Sequence, residues 1–340
     1  MSDKLITFCV PSFNSQAYLH IALDSLIVGQ GRIEVLVIDD GSTDSTLAIA
    51  REYESKYPDT FSAIHQDNAG HGGAINTALR LASGRYFKVL DSDDWVEQKG
   101  LLALLDYIEA HPEDETDLFL APYVYQHGYG NPVQTISFSR YLTSWQPTAW
   151  RGVKKFFGRD NITLHSAMYK TSCLHACGIR LPEHVSYEDN LFVYAPLPFT
   201  KKVTYCPLPF YQYLIGRSGQ TMEQQTIVKN WRTFMRHAEA IFRLYDITPY
   251  KKSDPGLYRI MFHSLVLNFT LGYLYAQLVN SAESQSEKFA FLSRCREHNK
   301  ALYQAVTRSF MVRMSLSKRR SGHRKSKFGV LVSRKIVKYN

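Results

Sequence analysis

At 340 residues the chain has room for one large domain with an extension, or for two domains. Its 45% hydrophobic and 13% aromatic content can fill a core, which excludes a disordered or collagen-like chain. The formal charge of +9 is local: ten of the 40 Lys and Arg lie in residues 311–340, which hold no acid, leaving 30 bases against 31 acids in residues 1–310.

Met1-Ser2-Asp3-Lys4 leads straight into Leu5 to Val10, an apolar run of strand formers closed by Pro11, so neither a signal peptide nor a membrane span is expected there. Leu19, Leu23 and Leu26 then form the stripe of a helix lying on a sheet. A second strand, Glu34 to Ile38, ends in Asp39-Asp40-Gly41-Ser42-Thr43-Asp44, whose Ser, Thr and Asp can cap a helix through Leu47, Ala50, Tyr53 and Tyr57. A third strand near Phe61 to His65 precedes the polar, glycine-rich segment Asp67 to Gly73. The next helix carries Ile75, Leu79 and Ala82 and is expected to be capped by Gly84. A fourth strand, Tyr86 to Leu90, runs into Asp91-Ser92-Asp93-Asp94-Trp95. Strands alternating with single helices predict an α/β, three-layer sandwich around a mainly parallel sheet.

From Asp117 to Tyr213 the pattern loosens into short apolar pieces with many turns, read as mixed strands and an acceptor-facing surface within one domain, 1–220. Helices are predicted at Gln224 to Tyr245, Gly256 to Asn280 and Ser286 to Thr307, a helical extension over 221–310. Arg259, His263, Asn268 and Gln277 make the most apolar of these too polar for a membrane helix. The basic tail, 311–340, mixes Lys318-Arg319-Arg320, Arg324-Lys325 and Lys327 with aliphatic residues. It reads either as a solvated terminus or as a contact with an anionic membrane surface; no nucleic-acid module accompanies it. Five scattered cysteines predict reduced thiols and a cytoplasmic protein, and Cys173 and Cys177 lack a second pair to complete a zinc site.

In sheets of this kind ligands bind at the carboxyl ends of the strands, where both acidic clusters fall. Three carboxylates in four residues repel one another unless a cation or donor compensates, and hard oxygen ligands suit Mg²⁺ or Mn²⁺. The alternative for Asp91 to Asp94 is a solvated turn capping the next helix. Strand alternation sends Asp39 and Asp40 to opposite sides, so one of them is expected to face a ligand. Pro11-Ser12-Phe13-Asn14 lacks the glycines of a dinucleotide site, and without any Gly-Lys pair a P-loop is excluded.

Val10 to Asn14, Val37 to Asp44, Asn68 to Asn76, Ala82 to Tyr86 and Asp91 to Trp95 resemble, in order and spacing, the motifs of family 2 glycosyltransferases. The likeness runs from about residue 4 to about 220. The resemblance implies the GT-A fold, with Pro11, Ser12 and Phe13 lining a nucleoside pocket and Asp40 accepting the N3–H of uracil. Asp91 would hold the ribose or a metal-bound water, and Asp93 would ligate Mg²⁺ or Mn²⁺ on the diphosphate. The family's arginine before Asn76 is Ile75 here.

Tyr187-Glu188-Asp189-Asn190 resembles the family's later acidic motif and makes Asp189 the catalytic base, with Glu188 the alternative. Chemistry asks for such a group, because a sugar hydroxyl must lose its proton as it attacks. Leu214 to Thr221 resembles the segment that closes such sites, with Arg217 clamping the diphosphate; the other reading is a plain linker. His165 stands where relatives place an acceptor or metal-side group, or is a structural histidine. The implied function is inverting transfer of a sugar from a nucleotide-sugar donor, UDP-linked first of all, to a saccharide or lipid-linked acceptor in cell-surface polysaccharide or glycolipid synthesis. The protein would be cytoplasmic, peripheral on the inner face of the membrane. The rival reading is a non-catalytic sugar-nucleotide-binding scaffold at that surface. A nucleotidyltransferase, which releases pyrophosphate, is a further alternative.

Overall fold

The computed structural model describes residues 4–216 and 224–317, arranged as two compact units. The first takes in the described residues of Met1–Lys155, Ile162–Gly216 and Asp254–Leu257; the second takes in those of Phe156–Asn161, Arg217–Ser253 and Tyr258–Asn340.

Unit one begins with β1 (Ile6–Ser12), α1 (Leu19–Leu26), β2 (Ile33–Asp40), α2 (Thr46–Lys56), β3 (Phe61–Gln66), α3 (Gly70–Leu81), β4 (Tyr86–Val89), β5 (Trp95–Val96) and α4 (Gln98–Ala110). It continues through β6 (Leu118–Leu120), β7 (Tyr123–Gln126), β8 (Pro132–Ile136), β9 (Thr148–Ala149), β10 (Ala167–Lys170), α5 (Thr171–Cys177), α6 (Asp189–Tyr194), β11 (Lys202–Tyr205) and β12 (Tyr211–Leu214). An eight-stranded sheet has the order β3-β2-β1-β4-β10-β6-β11-β9. Its first four strands are mutually parallel, as single-helix crossovers require, and β10 runs antiparallel between β4 and β6. A four-stranded sheet, β5-β12-β7-β8, gathers the strands that the loosened sequence pattern conceals.

All seven residues of β1 are buried, because helices cover both faces of the sheet. On one face Phe8, Val10, Val35 and Val37 pack with Leu19 and Leu23 of α1 and Leu101, Leu104 and Leu105 of α4. Truncating one such leucine to alanine costs about 2–5 kcal/mol. The apolar side of α3, with Ala74, Ile75 and Ala78 buried, packs on β1 and β2.

Pro11 does not close β1: it stays in register opposite Ile38 of β2, while β4 stops pairing at Cys9, so the proline's missing N–H faces no strand. Gly84 does not cap α3, which ends at Leu81; it lies against β1, where an added Cβ would stand 2.5 Å from the Thr7 nitrogen.

Unit two is helical, with α7 (Gln224–Leu244), α8 (Tyr250–Ser253), α9 (Pro255–Val279), α10 (Ala282–His298), α11 (Lys300–Arg308) and α12 (Phe310–Ser317). The first residues of α9 lie with unit one. Phe269 stacks on Phe291 with centroids 4.7 Å apart, and Phe234 meets Tyr275 edge-on at the same distance. The single helix expected over 286–307 is two. Asn299 takes an extended conformation between α10 and α11, and its side chain accepts the Leu302 amide, a better use of this residue than a place inside a helix. Among the described residues no helix is long and apolar enough to cross a membrane.

Candidate active site

The ends of β1, β2 and β4 and the amino end of α3 carry the polar residues singled out by the sequence. Ser12 is buried, whereas Phe13, just past the strand, leaves 52% of its surface exposed. Asn14 holds that turn in a left-handed conformation, φ 49°, and its Oδ1 accepts the Thr43 amide at 2.9 Å.

Asp39 and Asp40 do point to opposite sides, yet both are buried. Asp39 Oδ2 lies 2.6 Å from His65 Nδ1. The Asp40 carboxylate accepts Gln66 Nε2 at 2.7 Å and the amides of Ala69 and Gly70 at 2.8 Å each. It therefore anchors the amino end of α3, where orphan N–H groups attract an anion, and one acceptor position remains on it.

Past β4 the acidic turn separates by role. Asp94, 1% exposed, accepts the Tyr211 hydroxyl at 2.6 Å and the Leu214 amide at 2.8 Å, so its carboxylate is committed to the fold. Burial, followed by the charges of Asp93 and Asp91, lifts its pKa well above the usual range. Asp91 lies with Oδ1 3.0 Å from His71 Nε2 and Oδ2 3.9 Å from His165 Nε2. Burial opposes ionisation of Asp91, but the hydrogen bond and charge of His71, with help from His165 and Lys88, hold its pKa near 2. The ring of His165 stacks on Tyr213 at 4.2 Å, and burial lowers its pKa to about 4, leaving a neutral imidazole.

Ligand atoms of Asp91, Asp94 and His165 all lie within 4.8 Å of one another, the one such cluster of His, Cys and acid side chains among the described residues. Asp93, the metal ligand expected from the motif, is not in this group. Two carboxylates and a neutral imidazole fit a divalent ion of the Mn²⁺ or Mg²⁺ kind, with Asp91 and His165 the members whose donor atoms are not tied up by Tyr211 and Leu214.

Lys88 lies beneath this turn, 1% exposed, donating to the carbonyls of Leu164, His165 and Ala167 at 2.6, 2.8 and 3.1 Å. Burial draws its pKa down to about 7 against the pull of Asp91 and Asp94. Its ammonium thus fixes the backbone that presents His165.

The later acidic motif reaches the same place. Glu188, 4% exposed, sets Oε1 2.6 Å from His71 Nδ1, while its Oε2 is buried with no hydrogen-bond partner. His71 therefore bridges Glu188 and Asp91. Burial favours the neutral ring, but the two carboxylates outweigh it and raise the His71 pKa well above 6.5. Asp189 opens α6; burial and the adjacent Glu188 charge raise its pKa to about 7. Tyr187, just before the pair, is held at φ 73°, a conformation that costs about 1–3 kcal/mol and marks an over-determined turn.

The glycine-rich start of α3 is where this loop seats. A Cβ on Gly72 would stand 2.5 Å from the Pro182 carbonyl, and one on Gly70, already at φ +76°, would stand 2.9 Å from the His184 nitrogen. Arg217 and the basic run from Lys318 lie outside the described residues.

The family model for Glycosyl transferase family 2 matches residues 7–175. Over those residues, just under half of its length, the chain resembles that family. The chain is 42% identical over 108 residues to glycosyltransferase GlyA of Streptococcus pneumoniae, a stretch covering 32% of this chain and 14% of that protein. It is 28% identical over 223 residues to the poly(ribitol-phosphate) beta-glucosyltransferase of Bacillus spizizenii, 64% of this chain and 33% of that protein. Residues 1–349 of Staphylococcus aureus TarS, solved in complex with UDP-GlcNAc, superpose with a TM-score of 0.68 at 21% identity, covering 99% of this chain and 92% of that one. The fold is therefore GT-A, with C-terminal helices. The chain spans only a third or less of the length of these two curated relatives.

Sequence reasoning missed His71, Lys88 and Tyr211. Lys88 left a signal, a lone charge inside an apolar strand. His71 sat unremarked among glycines, and Tyr211 joins the site only through pairing of the second sheet.

Proposed function

We propose that the chain is an inverting glycosyltransferase that moves a sugar from a UDP-linked donor to the hydroxyl of a cell-surface polysaccharide or polyol-phosphate acceptor. The observation that carries this reading is the meeting of the acidic turn after β4 with the Glu188-Asp189 pair, through His71, at the strand ends of a GT-A fold. The acceptor class is supported by a relative whose name gives poly(ribitol-phosphate) as its substrate.

Phe13, exposed beside Pro11 and Ser12, is suited to stack on the base, and the remaining acceptor position of Asp40 to take its N3–H. Asp91, His165 and, from the motif, Asp93 would hold a divalent ion; such an ion, when bound, stabilises the negative charge that develops on the departing diphosphate. Asp189, with a pKa near 7, is poised to accept a proton. As the acceptor oxygen bonds to C1, its proton passes to Asp189 and the bond from C1 to the phosphate oxygen breaks with its electrons leaving on UDP. One displacement of this kind inverts the anomeric centre. Arg217 would clamp the diphosphate, and the basic tail would meet the inner, anionic face of the membrane.

The test is a panel of nucleotide-sugars with MgCl₂ or MnCl₂, followed for release of UDP, with Asp189→Asn alongside. Turnover should fall about 10²–10⁴-fold in the variant while UDP affinity holds. Transfer at the wild-type rate would remove Asp189 from the mechanism. Binding of a nucleotide-sugar without turnover in the wild type, across a panel of acceptors, would favour the scaffold reading.

A further inference from the structure

We infer that Tyr213, Tyr125 and Gln134 form the seat of the acceptor, a row across the second sheet that takes an uncharged pyranose residue by its C–H face. The inference rests on the reading above that the chain transfers a sugar, and it narrows the acceptor to a neutral saccharide rather than a polyol phosphate.

The row follows from strand register. Tyr213 of β12 lies opposite Tyr125 of β7, and Tyr125 lies opposite Gln134 of β8. Register partners project from the same face and strands stand about 4.8 Å apart, so these side chains cross the sheet over roughly 10 Å. One end of the row is at the acidic turn: Tyr211, two residues before Tyr213 and so on its face, donates to Asp94 Oδ2 at 2.6 Å. The Tyr213 ring stacks on His165, whose Nε2 is 3.9 Å from Asp91 Oδ2. The other end is open, because β8 is the last strand of its sheet and Gln134 is exposed.

The chemistry of the row selects its ligand. Tyr125 and Tyr213 meet with ring centroids 5.3 Å apart at an interplanar angle of 39°, and both are only partly buried. The electron-rich faces of phenol rings attract the polarised C–H bonds on the flat side of a pyranose, a surface that an open polyol chain lacks. Gln134 offers an amide to sugar hydroxyls at the open edge. The strands β7, β8 and β12 contain no Lys, Arg, Asp or Glu. A polymer with a phosphate in each repeat would gain no cation from these strands, and its leading phosphate would meet the carboxylates of the acidic turn.

The test offers methyl hexopyranosides, cellobiose and ribitol 5-phosphate to the full chain in UDP and MgCl₂, with contacts and affinities read by saturation-transfer NMR. Saturation should reach the ring C–H groups of at least one pyranoside and pass over ribitol 5-phosphate. Tyr125→Leu, which keeps apolar bulk but loses the ring, should weaken that pyranoside about three- to tenfold, and Tyr125→Phe should restore it. UDP affinity, titrated calorimetrically, should stay with the wild type in both. Preference for ribitol 5-phosphate overturns the inference, as does saturation of no pyranoside or equal affinity in Tyr125→Leu. A loss in Tyr125→Leu that falls on UDP-sugar affinity instead would assign the rings to the donor and overturn it too. Should Tyr125→Leu not fold, Gln134→Ala at its exposed position decides: pyranoside affinity lowered about twofold or more supports the seat, and unchanged affinity overturns it. If the wild type binds neither UDP nor a UDP-sugar, the proposed function falls and the seat with it; if it binds them and pyranosides are indifferent to Tyr125, the seat alone falls.

Discussion

The Tyr211 hydroxyl donates to Asp94 Oδ2 at 2.6 Å, joining residues 117 positions apart. The same phenol oxygen accepts the Asp91 amide at 3.2 Å, so one side chain of the second sheet sets the shape of the acidic turn. Tyr211→Phe leaves Asp94 buried, with the Leu214 amide still donating to its carboxylate. We expect a loss of about 1–3 kcal/mol in urea-induced unfolding, together with weaker binding of UDP. A variant of wild-type stability would show that this bond matters little.

The rate of transfer should follow the ionisation of Asp189. With its pKa raised to about 7 by burial and by Glu188, the basic form is scarce below neutrality and dominant above it. Turnover should therefore climb through about pH 7 and level off on the alkaline side. A rate that stays level down to about pH 5 would place the base elsewhere.

Lys88→Met removes three charge-assisted bonds to the carbonyls of Leu164, His165 and Ala167 while keeping most of the volume. The stranded carbonyls should cost about 2–4 kcal/mol, read from thermal or urea unfolding. Because His165 rides on this backbone, Mn²⁺-dependent stabilisation by UDP should shrink as well. Unfolding indistinguishable from the wild type would mean that water satisfies the carbonyls.

Gly72→Ala drives a methyl group toward the Pro182 carbonyl, 2.5 Å from the ideal Cβ position. The loop bearing Glu188 and Asp189 must retreat, at about 1–3 kcal/mol of stability. Turnover should fall about tenfold or more, since small misplacements of a base are costly. Full activity in this variant would show that the loop tolerates the displacement.

The parallel half of the large sheet was legible because each of its strands is a short apolar run followed by a helix with a clear stripe. The acidic turn from Asp91 to Asp94 stood out by its own carboxylates at a strand end, and family resemblance added Asp189. The bonds that join them were not legible. His71 lies 20 residues from Asp91 and 117 from Glu188, and no local pattern encodes a contact between side chains that only tertiary packing brings together. Asp93 and Asp94 look equivalent in the sequence. Their separation, with Asp94 taken by Tyr211 and Leu214, depends on pairing of β12 with β5 and β7, strands too short to announce themselves. Asn299 was misread for a related reason: apolar spacing continued across it, while its capping chemistry won locally.

The contact between the start of α3 and the 181–188 loop has a lasting consequence. A Cβ on Gly72 would stand 2.5 Å from the Pro182 carbonyl, 3.1 Å from Leu181 Cβ and 3.2 Å from Glu188 Cγ, so the bare glycine is what lets the acid-bearing loop seat this closely on the helix. The nearest of these contacts is backbone, which no rotamer change can relieve. The seam behaves as a mechanical stop that limits how near the loop bearing Glu188 and Asp189 comes to the start of α3.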